Sequence, residues 1–219
     1  MTAIPTCSIA LYKFNRLRRQ FILTMLGTVM GLAATTFPTP GIAHGPTRQV
    51  VKQQIKINAP AAEVWAVVGD FFTLDKWHPA ILKSEKIDDK TRKLSLETEG
   101  KVTLTEVIKK LQPEKMKLKY KIVDMAIIEK FDFNGIEVMR KTLPVDTYSS
   151  TLQVIPDGDG SVVTWIGKFY RGYMLNPPTP EGMDDASAIA TIESVYVAGL
   201  ENLARQFDGD AAAKASTAE

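Results

Sequence analysis

The sequence predicts an α+β domain in which a curved antiparallel sheet closes around one long C-terminal helix. Three observations carry this prediction. Segments with two-residue alternation follow one another from Ile81 to Tyr170, separated by turn signals. An earlier alternating stretch, Val50 to Ile57, runs straight into a helix that starts at a proline. A single helical stripe of Ala188, Ile192, Val195, Tyr196, Gly199, Leu200 and Leu203 closes the pattern. A run of strands followed by one helix leaves a sheet with an apolar face to cover, and the helix is the element available to cover it.

Residues 1–43 read as an export signal. Arg16-Leu-Arg18-Arg19 is a cationic start, and Phe21 to Ala34 is an apolar run shorter than a membrane span needs. Pro38, Pro40 and Gly41 break it, and Gly41-Ile42-Ala43 offers small residues for cleavage before His44. Arg18-Arg19-Gln20-Phe21-Ile22 resembles a twin-arginine signal without the usual Ser/Thr before the pair and Lys after it, so both export routes stay open. The expected location is the periplasm, with no stable membrane span after processing.

The whole chain carries +2, but residues 1–43 hold Lys13, Arg16, Arg18 and Arg19 and no acid. Without them the balance is acidic, which argues against a nucleic-acid partner. The sole cysteine, Cys7, lies in the expected signal, so no disulfide framework or thiol nucleophile is expected in the mature chain.

In Val50–Ile57, Val51, Gln53, Ile55 and Ile57 alternate with Val50, Lys52, Gln54 and Lys56, the pattern of a half-buried strand. Asn58 is placed to cap the helix that follows, with Pro60 near its first position. Ala62, Trp65, Ala66 and Gly69 share one face of that helix, and Trp65 is expected in the core. Phe71 to Lys76 reads as a second short helix. Leu82–Ile87, Lys93–Glu99, Lys101–Leu111 and Lys115–Val123 read as strands parted by Asp88-Asp89, Glu99-Gly100 and Gln112-Pro113-Glu114. Residues 127–141 hold Asn134-Gly135 between two alternating runs, a strong hairpin signal because both turn positions need positive φ. Asp146–Ile155 and Ser161–Tyr170 pair across Pro156-Asp-Gly-Asp-Gly160. A Pro- and Gly-rich loop, 171–183, leads to a helix from Asp184 or Asp185 to about Phe207. Residues 208–219 are expected to be a disordered tail. The domain is therefore 44–207.

Ile57-x-Ala-Pro-x-x-x-Val-Trp65, Gly69-Asp70-Phe71 and Trp77-His-Pro79 resemble the opening of the SRPBCC (START/polyketide-cyclase) superfamily. Within it, a further set of segments is similar to the MxaD-type proteins. The set is His44-Gly-Pro-Thr-Arg-Gln49, Leu143-Pro-Val-Asp-x-Tyr-Ser-x-Thr151, Phe169-Tyr-Arg-Gly172, Pro177-Pro178 and Val195-Tyr-x-Ala-Gly-Leu200. The resemblance covers roughly residues 44–205. It implies a helix-grip fold around a hydrophobic pocket. It also implies a periplasmic accessory role in methanol oxidation, assisting methanol dehydrogenase and its electron-accepting cytochrome, with no established catalytic residues. Against the usual pattern the Asn134-Gly135 hairpin is an insertion, expected as an added edge or a lid.

The candidate pocket residues are Trp77, His78, Tyr120, Tyr148, Trp165, Phe169 and Tyr196. Inward-facing aromatics can line an apolar cavity or simply fill the core, and both readings stand. His78 is either a pocket-mouth base or a turn residue. Tyr170, Arg171 and Tyr173 are the candidate partner anchors, because interfaces enrich aromatics and arginine. The competing role for their loop is to cap the grip. Glu97, Glu99 and Glu106 are expected on a solvated sheet face. His44 and His78 are too few ligands for a metal site, and no metal or cofactor is expected. Phosphate loops, nucleophile elbows and His-Glu-x-x-His are absent from the sequence. The expectation is a non-enzymatic accessory protein. A carrier of a small hydrophobic ligand, or a cyclase/hydrolase-type enzyme using His78 and a tyrosine, are the alternatives.

Overall fold

The computed structural model describes residues 45–96 and 102–216, with side chains to Asp208. The expected export signal, His44, Glu97 and Glu99 lie outside the described residues. Among those described, no helix is long and apolar enough to cross a membrane.

The first strand β1 (Gln49–Ile57) leads into helices α1 (Ala61–Val68) and α2 (Leu74–Trp77). Strands β2 (Ile81–Lys86), β3 (Thr91–Leu96), β4 (Thr103–Gln112) and β5 (Lys117–Met125) follow, then the hairpin β6 (Ile127–Phe133) and β7 (Ile136–Lys141). Strands β8 (Val145–Asp157) and β9 (Gly160–Arg171) precede the long helix α3 (Asp185–Ser216). Seven strands form one antiparallel sheet in the order β1-β9-β8-β5-β4-β3-β2. The chain's first strand therefore pairs with its last, Val51 opposite Gly167 and Ile55 opposite Val163. Helix α3 packs on β1 and β9, burying Ala188, Ile192, Tyr196, Leu200 and Leu203. This is the helix-grip architecture that the element order predicts.

Local differences have physical reasons. Helix α1 has Pro60 as its N-cap, and the Pro60 carbonyl accepts from Glu63 and Val64 at 3.0 and 3.2 Å. Asn58 makes no cap. The buried face of α1 is Ala61, Val64 and Val68, so Ala62 and Ala66 are exposed and Trp65 is only half-buried. Trp65 instead covers Gly69, where a Cβ would lie 2.6 Å from its ring. Helix α3 runs past Phe207 through Ala211, Ala212 and Ala213, the best helix-forming residue type, where an irregular tail was expected.

Asn134 and Gly135 take φ of 55° and 79°, as the hairpin turn requires. The hairpin is a separate two-stranded sheet, not an added edge of the large one. Its Val138 packs with Tyr173 and Met183 of the loop before α3, and Arg140 donates to the Glu181 carbonyl at 3.1 Å.

Candidate functional site

The concave face of the sheet carries the candidate site, and strand phase decides which side chains reach it. Strand β5 turns Leu118 and Tyr120 inward, while β9 turns Val163, Trp165 and Phe169 inward. In β8 the register shifts between Asp146 and Ser149, with Thr147 at φ 48°. That bulge changes the strand's phase, so Val145 and Tyr148 both face the core.

The inward aromatics meet at Tyr196 of α3. Trp165 stacks on Tyr196 with centroids 4.3 Å apart and planes 8° apart. The Trp165 indole N–H donates to Tyr120 Oη and Ser150 Oγ, both at 2.9 Å. Ser150 Oγ donates to the Ile166 carbonyl at 3.1 Å. With that proton committed, Tyr196 donates to Ser150 over 2.9 Å, and Tyr148 donates to Tyr196 over 2.5 Å. Burial raises all three tyrosines well above the usual phenol value of 10.0, so they stay neutral and act as hydrogen-bonding groups.

His78 is buried, not solvated at a turn. Its Nδ1 accepts from the Ala80 amide at 3.2 Å, and Nε2 lies 2.9 Å from the Val195 carbonyl. A carbonyl only accepts, so Nε2 carries the proton and the ring is neutral. Burial, the leading cause, pushes its pKa below the ordinary 6.5, against the pull of the Val195 bond. With both nitrogens held by backbone, His78 anchors the α2 turn to α3 and is not poised as a base. The linkage sign is definite. Above pH 6.5 the ring is neutral in both states and its burial is unopposed; as pH falls below 6.5 the unfolded chain takes up the proton first, and stability is lost. His78→Gln, which keeps a donor, is expected to remove a slope of at most about 1.4 kcal/mol per pH unit. Urea midpoints at pH 7.5 and 5.5 check this, and an unchanged slope would place the titration elsewhere.

An ion pair that sequence reasoning missed lies beside this cluster. Arg92 of β3 donates through Nε and Nη2 to Glu106 Oε2 of β4, at 2.8 and 2.5 Å. Its Nη1 donates to the Phe71 carbonyl. The guanidinium stacks over the Phe71 ring at 4.1 Å from the centroid. Arg92 and Glu106 are 3% and 5% exposed, so the expected solvated place for Glu106 is corrected. Burial pushes the Glu106 carboxyl above its ordinary value, and Arg92 pulls it part of the way back. The signal was available. Arg92 shares its strand phase with Leu94 and Leu96, and Glu106 shares its phase with Leu104.

Between these groups lies a cavity of about 50 Å³, whose walls include His78, Glu106, Tyr120, Tyr148, Trp165 and Tyr196. That is room for about one or two water molecules, against several hundred Å³ for an ordinary ligand pocket. Of the seven candidate pocket residues, Trp77 and Phe169 do not line it. Trp77 packs on Trp165 at 5.5 Å, and Phe169 stacks on Tyr148 at 6.2 Å. No group of three or more metal-ligating side chains occurs among the described residues.

The expected partner anchors stand differently. Arg171 and Tyr173 are buried, and only Tyr170 is partly exposed. Arg171 donates to the carbonyls of Tyr173 and Leu175 at 2.8 and 2.9 Å and to Asp185 at 3.2 Å. It ties the loop to the start of α3, so Arg171 and Tyr173 are buried and not the exposed side chains that were expected. The buried Tyr173 carbonyl needs a donor, and a guanidinium supplies several in one plane.

Comparison with known proteins agrees with this geometry. No curated protein matches the chain. Protein XoxI from Bacillus cereus superposes with a TM-score of 0.56 at 22% identity, covering 72% of this chain and 94% of that one. The Zhui aromatase/cyclase from Streptomyces sp. R1128 gives 0.52 at 17% identity, covering 74% and 94%. A protein from Thermobifida fusca gives 0.53 at 20% identity, covering 72% and 92%. These likenesses show the fold. The family model described as polyketide cyclase / dehydrase and lipid transport matches residues 48–208. The chain belongs to that family, among the ligand-binding and cyclase-type proteins of the SRPBCC superfamily.

Proposed function

We propose that this chain is an exported, non-enzymatic accessory protein of methanol oxidation, which assists methanol dehydrogenase and its electron-accepting cytochrome in the periplasm. The observation that carries this reading is the filled interior. A cavity of about 50 Å³, walled by groups already bonded to one another, leaves the surface as the working part of the molecule. The similarity to MxaD-type proteins across residues 44–205 supports the choice of system. The chain beginning at His44 is expected to change the rate of electron transfer from methanol dehydrogenase to its cytochrome. No rate change and no association with either protein would sink the reading.

A second reading, a carrier of a small hydrophobic ligand with one polar end, draws on the cavity walls. Leu94, Leu104 and Ile122 supply apolar surface, and Glu106 and Tyr120 supply polar atoms. The grip would have to widen to hold more than a few atoms. Native mass spectrometry of protein from its own periplasm tests this, and an empty cavity under mild conditions argues against a carrier. A cyclase-type enzyme would need a ring nitrogen of His78 free for proton transfer, and the two backbone bonds weigh against it.

A further inference from the structure

We infer that the convex face of the sheet is a docking surface for an acidic face of a protein partner. Strand phase puts the cations there. Leu118 and Tyr120 of β5 are buried on the concave side, so the intervening Lys119 points outward and is exposed. Register then places Lys119 opposite Lys110 on β4 and opposite Thr151 on β8. The register of β4 shifts between Ile108 and Lys110, and this irregularity leaves Lys109 and Lys110 both exposed on the same groove. Lys168 of β9 stands opposite Ser149 of β8. Together Arg48, Lys109, Lys110, Lys119 and Lys168 line a shallow groove of about 440 Å³.

No carboxylate lines this groove, and none of the five cations belongs to an ion pair among the described residues. Of the two acids in the neighbouring hollow that shares Arg48, Asp146 is engaged by Lys141 at 3.3 Å, and Asp124 lies on β5 beyond the groove's own lining. Like charges directly opposite one another on neighbouring strands destabilise a sheet, so Lys110 against Lys119 is a cost the fold does not need. The chain from His44 onward is acidic overall, so these cations are segregated and not the overflow of a basic protein. The four lysines sit on paired strands as compact ammonium groups, with Arg48 just ahead of β1; Tyr120 in the lining is 3% exposed and offers no ring for stacking bases, and the groove has no apolar helix face for entering a bilayer. A fixed cationic face of this kind complements an acidic protein surface and steers encounter with it.

The inference rests on the accessory reading only for which partner is met, and the test separates the two. Polyglutamate of about 20 residues is titrated into the chain beginning at His44, at low and at high salt, beside phosphatidylglycerol vesicles. The expected result is salt-sensitive peptide binding that falls at least about tenfold in Lys109→Glu/Lys110→Glu/Lys119→Glu. Lys130→Glu on the hairpin is expected to bind like the parent. The Gln version of the triple variant serves if the Glu version does not fold. Peptide binding that is absent, or unchanged in the triple variant, overturns the docking face. So does tighter binding to the vesicles than to the peptide. Association with methanol dehydrogenase and its cytochrome is measured separately. Its absence, with peptide binding intact, overturns the accessory reading and leaves the face standing.

Discussion

Arg92→Met is expected to lower stability by about 3–5 kcal/mol at neutral pH. Met keeps an unbranched apolar chain against Phe71 but removes every donor to Glu106, which is 5% exposed. A buried carboxylate without its partner bears a desolvation cost that nothing offsets. Burial already holds the Glu106 carboxyl above its ordinary 4.5, and loss of Arg92 removes the main pull in the other direction. The pH dependence follows. Below pH 4.5 the group is protonated in both states and the variant recovers most of its stability. As pH rises from 4.5 toward the raised folded value, the unfolded chain ionises first, and stability is lost. Arg92→Met with Glu106→Leu is expected to regain most of the loss, because an apolar pair of similar volume needs no desolvation. Urea denaturation at pH 7 and pH 4.5 measures all three. A loss under about 1 kcal/mol for Arg92→Met, without pH dependence, would mean the pair is solvated.

Gly199→Ala is expected to destabilise the protein by about 2 kcal/mol, against the direction that helix propensity gives. A glycine within a helix normally gains about 1 kcal/mol on replacement by alanine. Here the new Cβ would lie 2.5 Å from His78 Cδ2, 3.0 Å from Nε2 and 3.1 Å from Trp165 Cζ3. The bare backbone at Gly199 is what lets the imidazole lie on α3 and reach the Val195 carbonyl. Displacing it loses that bond and disturbs the stack of Trp165 on Tyr196. A thermal melt following tryptophan fluorescence checks this, and a raised Tm would contradict the close approach.

The elements were legible because each rests on local pattern. Alternation marked β1, β8 and β9, Asn134-Gly135 marked the hairpin, and the stripe from Ala188 to Leu203 marked α3. The buried aromatics were legible as a group for the same reason, since Tyr120 and Trp165 sit in the apolar phase of their strands. Contacts between distant residues were not. Nothing near Gly199 in the chain indicates His78, and nothing near Trp165 shows that its indole N–H is taken up by Tyr120 and Ser150. Glu106 was misplaced because a carboxylate in an alternating strand is usually solvated. Only Arg92 across the ladder from it makes burial tolerable, and Arg92 stands opposite Glu106 in the register of β3 and β4.

The sequence by itself therefore determined the element order, the α+β class and the inward phase of Tyr120, Trp165 and Tyr196, because periodicity and turn chemistry act over a few residues. The tertiary structure alone decided how full the grip is, which nitrogens of His78 are engaged, and that Arg92 and Glu106 share the interior. It also decided that lysines from three strands gather on one face. Each of these depends on strand register and helix approach, which bring together residues that the chain keeps far apart.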